Sequence, residues 1–408
     1  MSAVRSSGRL LFARSPVGAA ALPCISVTGS RRQYADDVKF LKTLDPAHMK
    51  RGRGGRSSFS GTVCTVFGAT GFMGRYVVNK LGKTGTQMVL PYRGDFYDAM
   101  RLKVAGDLGQ VLFCPYHLCD EESIAKAVRH SNAVVNLVGR DYTTRNFNME
   151  QVHVEGAARI ARICKKMGVE RFIHVSALNS DRHHEGSVIT GGSAFLAAKG
   201  VGEKAVLAEF PDATIIRPSD IYGSEDRFLR YYAFYHRTDK DKMSLPGGGY
   251  NIFKQPVYVV DVAQGIVNAV LKDIDTKGQI YQAVGPRRYE LRDLVEWFLR
   301  VLRRDPTIQG GISVVNMKYY PMPIVKAKFN ELFPWSPLNA QTMDKLERES
   351  VTDIVSSNLP TLEDLGVSTL VKLEDRVEWE LRPYREFEYY DEEIGDFDPP
   401  APPKFVQV

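Results

Sequence analysis

The sequence is poor in cysteine and contains no long apolar run. Only five of its 408 residues are cysteine, and apart from Cys24 they are scattered without zinc-ribbon or CxxC spacing: Cys64, Cys114, Cys119 and Cys164. Cys64 lies in an apolar segment and is expected in the core, with the thiols reduced. His183 and His184 have no carboxylate or cysteine at ligand spacing, so no metal site is predicted. No apolar stretch approaches roughly 18 residues, so no transmembrane helix is predicted.

Acidic residues are absent from residues 1–35, which contain five arginines and several serines. These arginines supply most of the net charge of +6, so the basicity gives no reason to expect nucleic-acid binding. An Arg-rich, Ser-rich, acid-free stretch is typical of a mitochondrial presequence, and "RRQYA" resembles a processing site with cleavage after Tyr34. We therefore assign residues 1–34 to a presequence. A disordered basic arm is the alternative.

From residue 61 onward, apolar strands alternate with amphipathic helices. Six apolar segments predict buried parallel strands: TVCTVFGA, QMVLPY, QVLFCPY, AVVNLVG, RFIHVSA and ATIIRPSDIYG. Segments between them, including the long MEQVHVEGAARIARICKKMG, have apolar residues at helical spacing. This alternation over residues 61–224 predicts an α/β fold with a doubly wound parallel Rossmann sheet.

The regions on either side of residues 61–224 are less regular. Residues 35–60 are rich in Gly, Arg and Ser and predict an N-terminal extension, either a solvated loop or an arm that contacts an acidic partner or lipid headgroups. Residues 225–335 predict a smaller C-terminal lobe interleaved with the Rossmann core, in which Asp261 is expected to cap a helix. Residues 336–408 predict an extension whose acidic, aromatic tail is either disordered or laid on a partner, and its aromatic residues favour the partner.

The segment VFGATGFMG directly follows the first predicted strand. Its glycines have the spacing that allows a tight turn, the approach of a pyrophosphate to the backbone, and close packing of a helix on the strand. The amides at the start of that helix would face the phosphates. We therefore predict a dinucleotide site whose contacts in this loop are Gly68, Thr70, Gly71, Phe72, Met73 and Gly74.

The residue at the end of the second strand indicates which dinucleotide is bound. An NAD-preferring site has an acid there, about 20 residues after the glycine loop. In QMVLPYRGDF this position has no acid, and Arg93 follows the strand. A guanidinium binds a 2′-phosphate through two hydrogen bonds, so the sequence favours NADPH. An ordinary surface arginine is the alternative, and the nearby Asp95 weakens the case for a phosphate contact.

Over about residues 62–300 the motifs GATGFMG, HLCDEESI, NLVG, FIHVSA and IIRPSDIYG occur in order. Together they resemble the extended and atypical short-chain dehydrogenase/reductase superfamily. The resemblance implies further cofactor contacts: Asp120 near the adenine ring, Val138 and Gly139 after the fourth strand, Ser176 and Lys199 at the serine and lysine positions of the catalytic group, and Pro218 and Ile221 on the nicotinamide side.

The tyrosine of that catalytic group is missing. GGSAFLAAKG keeps Lys199 but has Phe195 where the resemblance requires tyrosine. In active members the tyrosine exchanges a proton while hydride moves, and a phenyl ring cannot do this. No catalytic residue is therefore predicted. Substitution by Tyr142 or Tyr222 as the acid is the alternative.

The whole chain is similar to the short-chain-dehydrogenase-like accessory subunits of mitochondrial respiratory complex I, the NADH:ubiquinone oxidoreductase. The similarity includes the presequence, the missing tyrosine, and the segments RPSDIYGSEDRFL, KQPVYVVDVA and LPTLEDLGV. It implies a tightly held structural NADPH, other complex I subunits as partners, a peripheral matrix-side position at the inner membrane, and no reductase role. Two other functions stay open: an NADPH-dependent reductase or epimerase with an unconventional acid, and a sensor of the NADPH/NADP⁺ ratio.

Overall fold

A computed structural model describes residues 51–52, 54–182, 186–189, 191–234, 237–238, 241–271, 275–307, 311–332, 341–388 and 400–406. These residues belong to one unit, Lys42–Val408. The predicted presequence, most of the N-terminal extension, His183 and His184 lie outside the described residues. No described helix is long and apolar enough to span a bilayer.

Strands and helices alternate through the first half of the described chain, as predicted. In chain order they are β1 (Val63–Phe67), α1 (Phe72–Lys83), β2 (Gln87–Tyr92), α2 (Phe96–Met100), β3 (Val111–Pro115), α3 (Glu121–Val128), β4 (Ala133–Asn136), α4 (Ala157–Lys166), β5 (Arg171–Val175), α5 (Ala194–Glu209) and β6 (Thr214–Pro218). The six strands are parallel in the order β6–β5–β4–β1–β2–β3. The predicted doubly wound Rossmann sheet is confirmed.

The second half of the described chain returns to this sheet. Its elements are β7 (Ile221–Tyr222), α6 (Leu229–Ala233), β8 (Lys242–Leu245), β9 (Phe253–Lys254), β10 (Val257–Tyr258), α7 (Val259–Leu271), β11 (Ile280–Ala283), β12 (Arg288–Glu290), α8 (Leu291–Val301), β13 (Ser313–Asn316), α9 (Met322–Leu332), α10 (Met343–Ser350), α11 (Glu374–Leu381) and β14 (Phe405–Val406). β11 pairs in parallel with β6 as the seventh strand of the main sheet. The C-terminal half therefore completes the central sheet.

Apolar side chains pack on both faces of the sheet because successive residues of a strand point to opposite faces. One cluster joins α1 and α7 to the sheet, and another joins α3, α4 and α5 to the opposite face. Cys64 is fully buried in the first cluster, as predicted. Leu362 and Leu365 are also buried there. Part of the region that the sequence assigns to a C-terminal extension is thus built into the main core.

Three local features differ from the sequence-based expectations. Asp261 is not a helix cap, because it lies inside α7 and its Oδ2 accepts a hydrogen bond from the Val371 amide at 2.8 Å. The long helix before β5 begins with a π-helical turn, Gln151–Gly156, which leads into α4. The end of the tail lies on this same chain, because β14 pairs antiparallel with β12. The tail residues 389–399 are outside the described residues.

A buried ion pair fixes α5 against the sheet. Arg217 of β6 donates to both carboxylate oxygens of Glu203 on α5, and the shortest of these bonds is 2.6 Å. Only 8% and 5% of the two side chains are exposed. Removing one partner of such a pair leaves a buried charge without its counterion. Since α5 also carries Phe195 and Lys199, this pair positions both residues relative to the strand ends.

We expect Arg217→Met to lower the free energy of unfolding by about 3–5 kcal/mol, because Glu203 is then buried without its main partner. Chemical denaturation followed by circular dichroism measures the effect. The double variant Arg217→Met/Glu203→Leu removes both charges and should recover most of the loss. A double variant as unstable as Arg217→Met alone would contradict the assignment of the loss to an unpaired charge.

Candidate cofactor site

The turn from β1 into α1 requires glycine at Gly68, in the loop, and at Gly74, in the first turn of α1. Gly68 has a φ of +79°, which residues with side chains rarely adopt. A Cβ at Gly74 would lie 2.4 Å from the carbonyl oxygen of Gly68 and 2.6 Å from that of Ala69. The amide of Gly71 donates to the Gly68 carbonyl at 3.1 Å and closes the turn. The first turn of α1 is thereby held against the end of β1, which is the arrangement that a pyrophosphate requires.

The other predicted contacts of this loop have different surroundings. The Met73 side chain packs against the main core, and the Phe72 ring lies edge-on to Tyr76 at 5.7 Å between centroids. A phosphate at the helix start would therefore meet their backbone amides. The Thr70 carbonyl lies 3.5 Å from Arg101 Nη2. Arg101 is exposed and places a second guanidinium beside the glycine loop, which the sequence analysis did not identify.

Arg93 and Asp120 follow β2 and β3 at the same edge of the sheet. Arg93 is exposed, and its guanidinium carbon lies 5.4 Å from the centroid of the Phe147 ring. The ring of His117 lies 5.9 Å from that of Phe147. One carboxylate oxygen of Asp120 accepts from the Glu122 amide at 3.0 Å, so this side chain caps α3. Arg93, which the sequence predicted to contact a 2′-phosphate, thus lies over the ring of Phe147.

Lys199 of α5 is buried at the carboxyl end of β5. Its Nζ donates to the carbonyl of Val175 at 3.0 Å, and only 6% of the residue is exposed. Burial lowers the pKa of Lys199 to about 8, and the charge of Glu203 opposes this shift. A Cβ on Gly139 would lie 3.4 Å from Nζ, so the loop after β4 runs directly over the lysine. Ser176, the residue after β5, is buried, and its Oγ lies 3.5 Å from Ser180 Oγ.

His153 is a buried side chain that the sequence analysis did not select. It lies in the π-helical turn, a type of distortion that is frequent at functional sites. Its Nε2 lies 2.7 Å from the Arg140 carbonyl and therefore carries the proton, which leaves Nδ1 as an acceptor. Nδ1 is buried and has no hydrogen-bond partner among the described residues. Burial, followed by the charge of Lys199, lowers the pKa of His153 to about 4, so the ring is neutral at physiological pH.

The Phe195 ring lies between a histidine and an arginine. His153 meets it edge-on, with 5.2 Å between centroids and 88° between planes. The guanidinium carbon of Arg348, from α10, lies 4.4 Å from the centroid of the Phe195 ring, and Lys199 Nζ lies 5.9 Å from it. These are cation–π distances. The Phe195 ring is thus contacted both by Lys199, the lysine of the catalytic group, and by Arg348, which is distant in sequence.

The same arginine is joined to the loop after β4. Arg348 Nη2 lies 3.2 Å from Asp141 Oδ2, and Arg227 forms a second ion pair with Asp141. Burial acts to raise the pKa of Asp141, but Arg348 and Arg227 hold it well below its usual range. Asp141 is therefore ionised at physiological pH. It follows Gly139 by two residues, so one short loop contacts both Lys199 and Arg348.

The remaining predicted residues lie at or shortly after the carboxyl ends of β4 and β6. Val138 follows β4 and donates its amide to Asn136 Oδ1 at 3.1 Å. Pro218 ends β6, and its carbonyl accepts from the Leu178 amide at 2.8 Å. Ile221 begins β7. The strand ends of a parallel sheet share one edge, and ligands bind there in doubly wound folds. The predicted site residues are thus assembled at one edge, and their contacts with a dinucleotide stay a prediction.

The two tyrosines considered as substitute acids have other contacts. The Tyr222 side chain is fully buried and its hydroxyl donates to the Val371 carbonyl at 3.1 Å. The ring of Tyr142 is contacted by the guanidinium groups of Arg140 and Arg227, at 5.0 and 5.9 Å. In the part of the chain that the structure describes, no group of three or more His, Cys, Asp or Glu side chains could hold a metal ion.

Comparisons with known proteins place the chain in a family. The NAD dependent epimerase/dehydratase family matches residues 64–283. The chain is 45% identical over 360 residues to mouse (Mus musculus) "NADH dehydrogenase (ubiquinone) 1 alpha subcomplex subunit 9, mitochondrial", covering 88% of this chain and 90% of the mouse protein. It is 36% identical to the Neurospora crassa "NADH-ubiquinone oxidoreductase 40 kDa subunit, mitochondrial", covering 89% and 90% of the two chains. An Arabidopsis thaliana relative with the same name as the mouse protein is 37% identical, over 80% of this chain and 79% of its own length.

Solved structures share the fold at much lower identity. The dTDP-glucose 4,6-dehydratase DesIV of Streptomyces venezuelae, with NAD bound, superposes with a TM-score of 0.57 at 18% identity and covers 80% of this chain and 98% of its own. The Citrobacter triphenylmethane reductase complexed with NADP(H) gives 0.55 at 15% identity, over 78% of this chain and 100% of its own. These likenesses show the fold alone. The family match and the relatives aligned over most of their length confirm the resemblance found in the sequence: the chain belongs to the NAD dependent epimerase/dehydratase family and, within it, to the group of mitochondrial NADH dehydrogenase (ubiquinone) 1 alpha subcomplex subunit 9 proteins.

Proposed function

We propose that the chain is a non-catalytic accessory subunit of mitochondrial respiratory complex I that binds NADPH as a structural cofactor. The observation that carries the non-catalytic part is the environment of Phe195, where the lysine of the catalytic group is retained while a phenyl ring replaces the proton donor and Arg348 covers that ring. The names of the full-length relatives support assembly with other complex I subunits.

The residues present fit a dinucleotide. Because Gly74 has no side chain, α1 packs closely against the loop after β1. The amides at the start of α1 therefore lie at the sheet edge, where they would bind the pyrophosphate. Lys199 would donate to the ribose beside the nicotinamide. Arg93, with its positive charge on the Phe147 ring, favours the additional phosphate of NADPH over the ribose hydroxyl of NADH. The bound cofactor would supply binding free energy to the native state only and so stabilise the subunit.

The site is arranged for binding rather than proton transfer. A missing general acid commonly costs about 10²–10⁴ in rate. The Tyr222 hydroxyl, which could have substituted, is held by the Val371 carbonyl inside the protein. We therefore assign the retained Lys199 and Ser176 to the cofactor pocket alone. We also propose that the subunit lies at the periphery of the inner membrane, on its matrix side. The predicted presequence and the names of the relatives support the mitochondrial location.

Arg93→Glu should weaken NADPH binding by about tenfold to a hundredfold, because it replaces charge-assisted hydrogen bonds to a phosphate with a repulsion. NADH binding should change much less, since NADH has no 2′-phosphate. Isothermal titration calorimetry with both cofactors measures the two effects. Lys126→Glu, an equal charge reversal at an exposed position of α3, is the matched control. Equal weakening of both cofactors, or unchanged NADPH affinity, would remove Arg93 from the 2′-phosphate site.

Purified protein should not oxidise NADPH above background with a panel of aldehydes, ketones and nucleotide sugars, because no side chain at the Phe195 position can transfer the proton. Ser176→Ala and Lys199→Ala should give the same baseline as the unchanged protein. The loss of NADPH absorbance over time is the measurement. Turnover in the unchanged protein that falls in both variants would show that the chain is an active reductase.

Association with complex I is tested in cells that lack the endogenous subunit. A tagged full-length chain should migrate with complex I on a native gel and restore its NADH dehydrogenase band. Recovery of the chain only as a free soluble oligomer, with the complex still absent, would refute the accessory-subunit proposal.

A further inference from the structure

Helix α10 contacts the start of α5 and the ring of Phe195, which holds the position of the missing tyrosine. Asp344 Oδ1 accepts from Ser193 Oγ at 2.8 Å and from the Phe195 amide at 3.1 Å, so it caps the start of α5. Glu347 accepts from the amides of Ser187, Val188 and Ile189 at 2.7–2.8 Å. The helix is thus held on the Rossmann half of the molecule by its own acidic residues.

Arg348 extends from this helix onto the Phe195 ring. Its guanidinium lies on the Phe195 ring at 4.4 Å, and its Nη2 and Nε contact Asp141 and Asp344, each at 3.2 Å. Only 17% of the side chain is exposed. A group that exchanges a proton with a substrate has to touch that substrate. Arg348 lies on the Phe195 ring, and Phe195 holds the position of the proton donor. Arg348 therefore occupies the space in which a substrate would contact that position.

The loop that receives Arg348 also belongs to the cofactor site. Gly139 lies against Lys199, and a Cβ there would be 3.2 Å from the His153 ring. The Arg140 carbonyl accepts from His153 at 2.7 Å, and the next residue is Asp141. Residues 139–141 thus touch the predicted ribose-binding lysine on one side and α10 on the other. A ligand that orders this loop would also order the carboxylate that binds Arg348.

We propose that α10 is the resident occupant of the substrate side of the cleft and that its docking is coupled to the dinucleotide through the loop Gly139–Asp141. NADPH favours the docked helix, and the docked helix favours retention of NADPH. This inference rests on the proposed binding of NADPH and goes beyond it, because it assigns the neighbouring cleft to a segment of the same chain. It excludes free diffusion of a small substrate onto Phe195.

The coupling has two physical consequences. Coupling free energies between binding sites are reciprocal, so the factor by which NADPH lowers the equilibrium constant for opening of α10 equals the factor by which α10 docking tightens NADPH binding. A static helix that belongs to the fold regardless of the cofactor would show neither effect. Local opening of a segment is visible in its amide hydrogen exchange, which reports the free energy of that opening.

The experiment is hydrogen–deuterium exchange of the full-length chain, freed of nucleotide, with and without saturating NADPH. We expect exchange of the α10 amides, residues 343–350, to slow by about fivefold or more on NADPH addition, which is the lower end of common coupling factors. In Arg348→Gln these amides should exchange faster without nucleotide, and most of the NADPH effect should disappear. Its dissociation constant for NADPH, measured by calorimetry, should rise by a similar factor.

Matched variants locate the effect. Asp141→Asn removes the partner charge with little change of shape and should reproduce Arg348→Gln, and the double variant should be no worse than either single one because both remove the same contact. Arg382→Gln breaks an ion pair of similar length, 2.7 Å to Glu388, elsewhere in the C-terminal region and should change neither quantity. If Arg348→Gln does not fold, Arg348→Lys keeps the charge but loses the planar contact with Phe195, and it should show a smaller change in the same direction.

The outcomes separate this inference from the proposed function. NADPH binding to the unchanged chain without slower exchange in α10 overturns the coupling alone. NADPH affinity in Arg348→Gln equal to that of the unchanged chain also overturns it. No calorimetric binding of NADPH to the unchanged chain overturns the structural-cofactor proposal and the coupling together.

Discussion

The close packing of α1 against the loop after β1 is the constraint on which the rest of the structure depends. A side chain at Gly74 would collide with the carbonyls of residues 68 and 69, so the start of α1 is fixed at the carboxyl edge of the sheet. On its other side α1 packs against α7, and Lys80 Nζ donates to Gln264 Oε1 at 2.9 Å across this contact. One helix therefore aligns the glycine loop with the C-terminal half of the chain.

Charge in the cleft is arranged so that cations are buried only with defined partners. The Val175 carbonyl accepts a hydrogen bond from Lys199, and burial of the ammonium group lowers its pKa to about 8. Arg348 is balanced by Asp141 and Asp344. His153, between them, is kept neutral by burial and by Lys199. The positive charge near the predicted dinucleotide site suits phosphates. Near Phe195, the charge of Arg348 is neutralised by Asp141 and Asp344.

The sequence was sufficient to predict the six N-terminal strands and the residues at their carboxyl ends, because parallel strands are apolar on both faces and the glycine spacing serves a local turn. It was not sufficient for Arg348, because an arginine on a short polar helix gives no sign of a partner far away in sequence. His153 was missed because a histidine on an apolar helix face has the same pattern as a core residue. Asp261 was misplaced because a carboxylate near a helix start can bind a distant amide as well as its own helix.

The position of β11 next to β6 determines when the central sheet can be completed during synthesis of the chain. β6 can pair on its outer edge only after β11 has been synthesised, and Gln282 of β11 is in turn bridged to Thr361. A nascent chain emerges from its N-terminus, so the outer edge of β6 stays unpaired until Ile280–Ala283 have emerged. Premature termination after β6 would leave this edge permanently open, which predisposes the shortened product to aggregation and degradation.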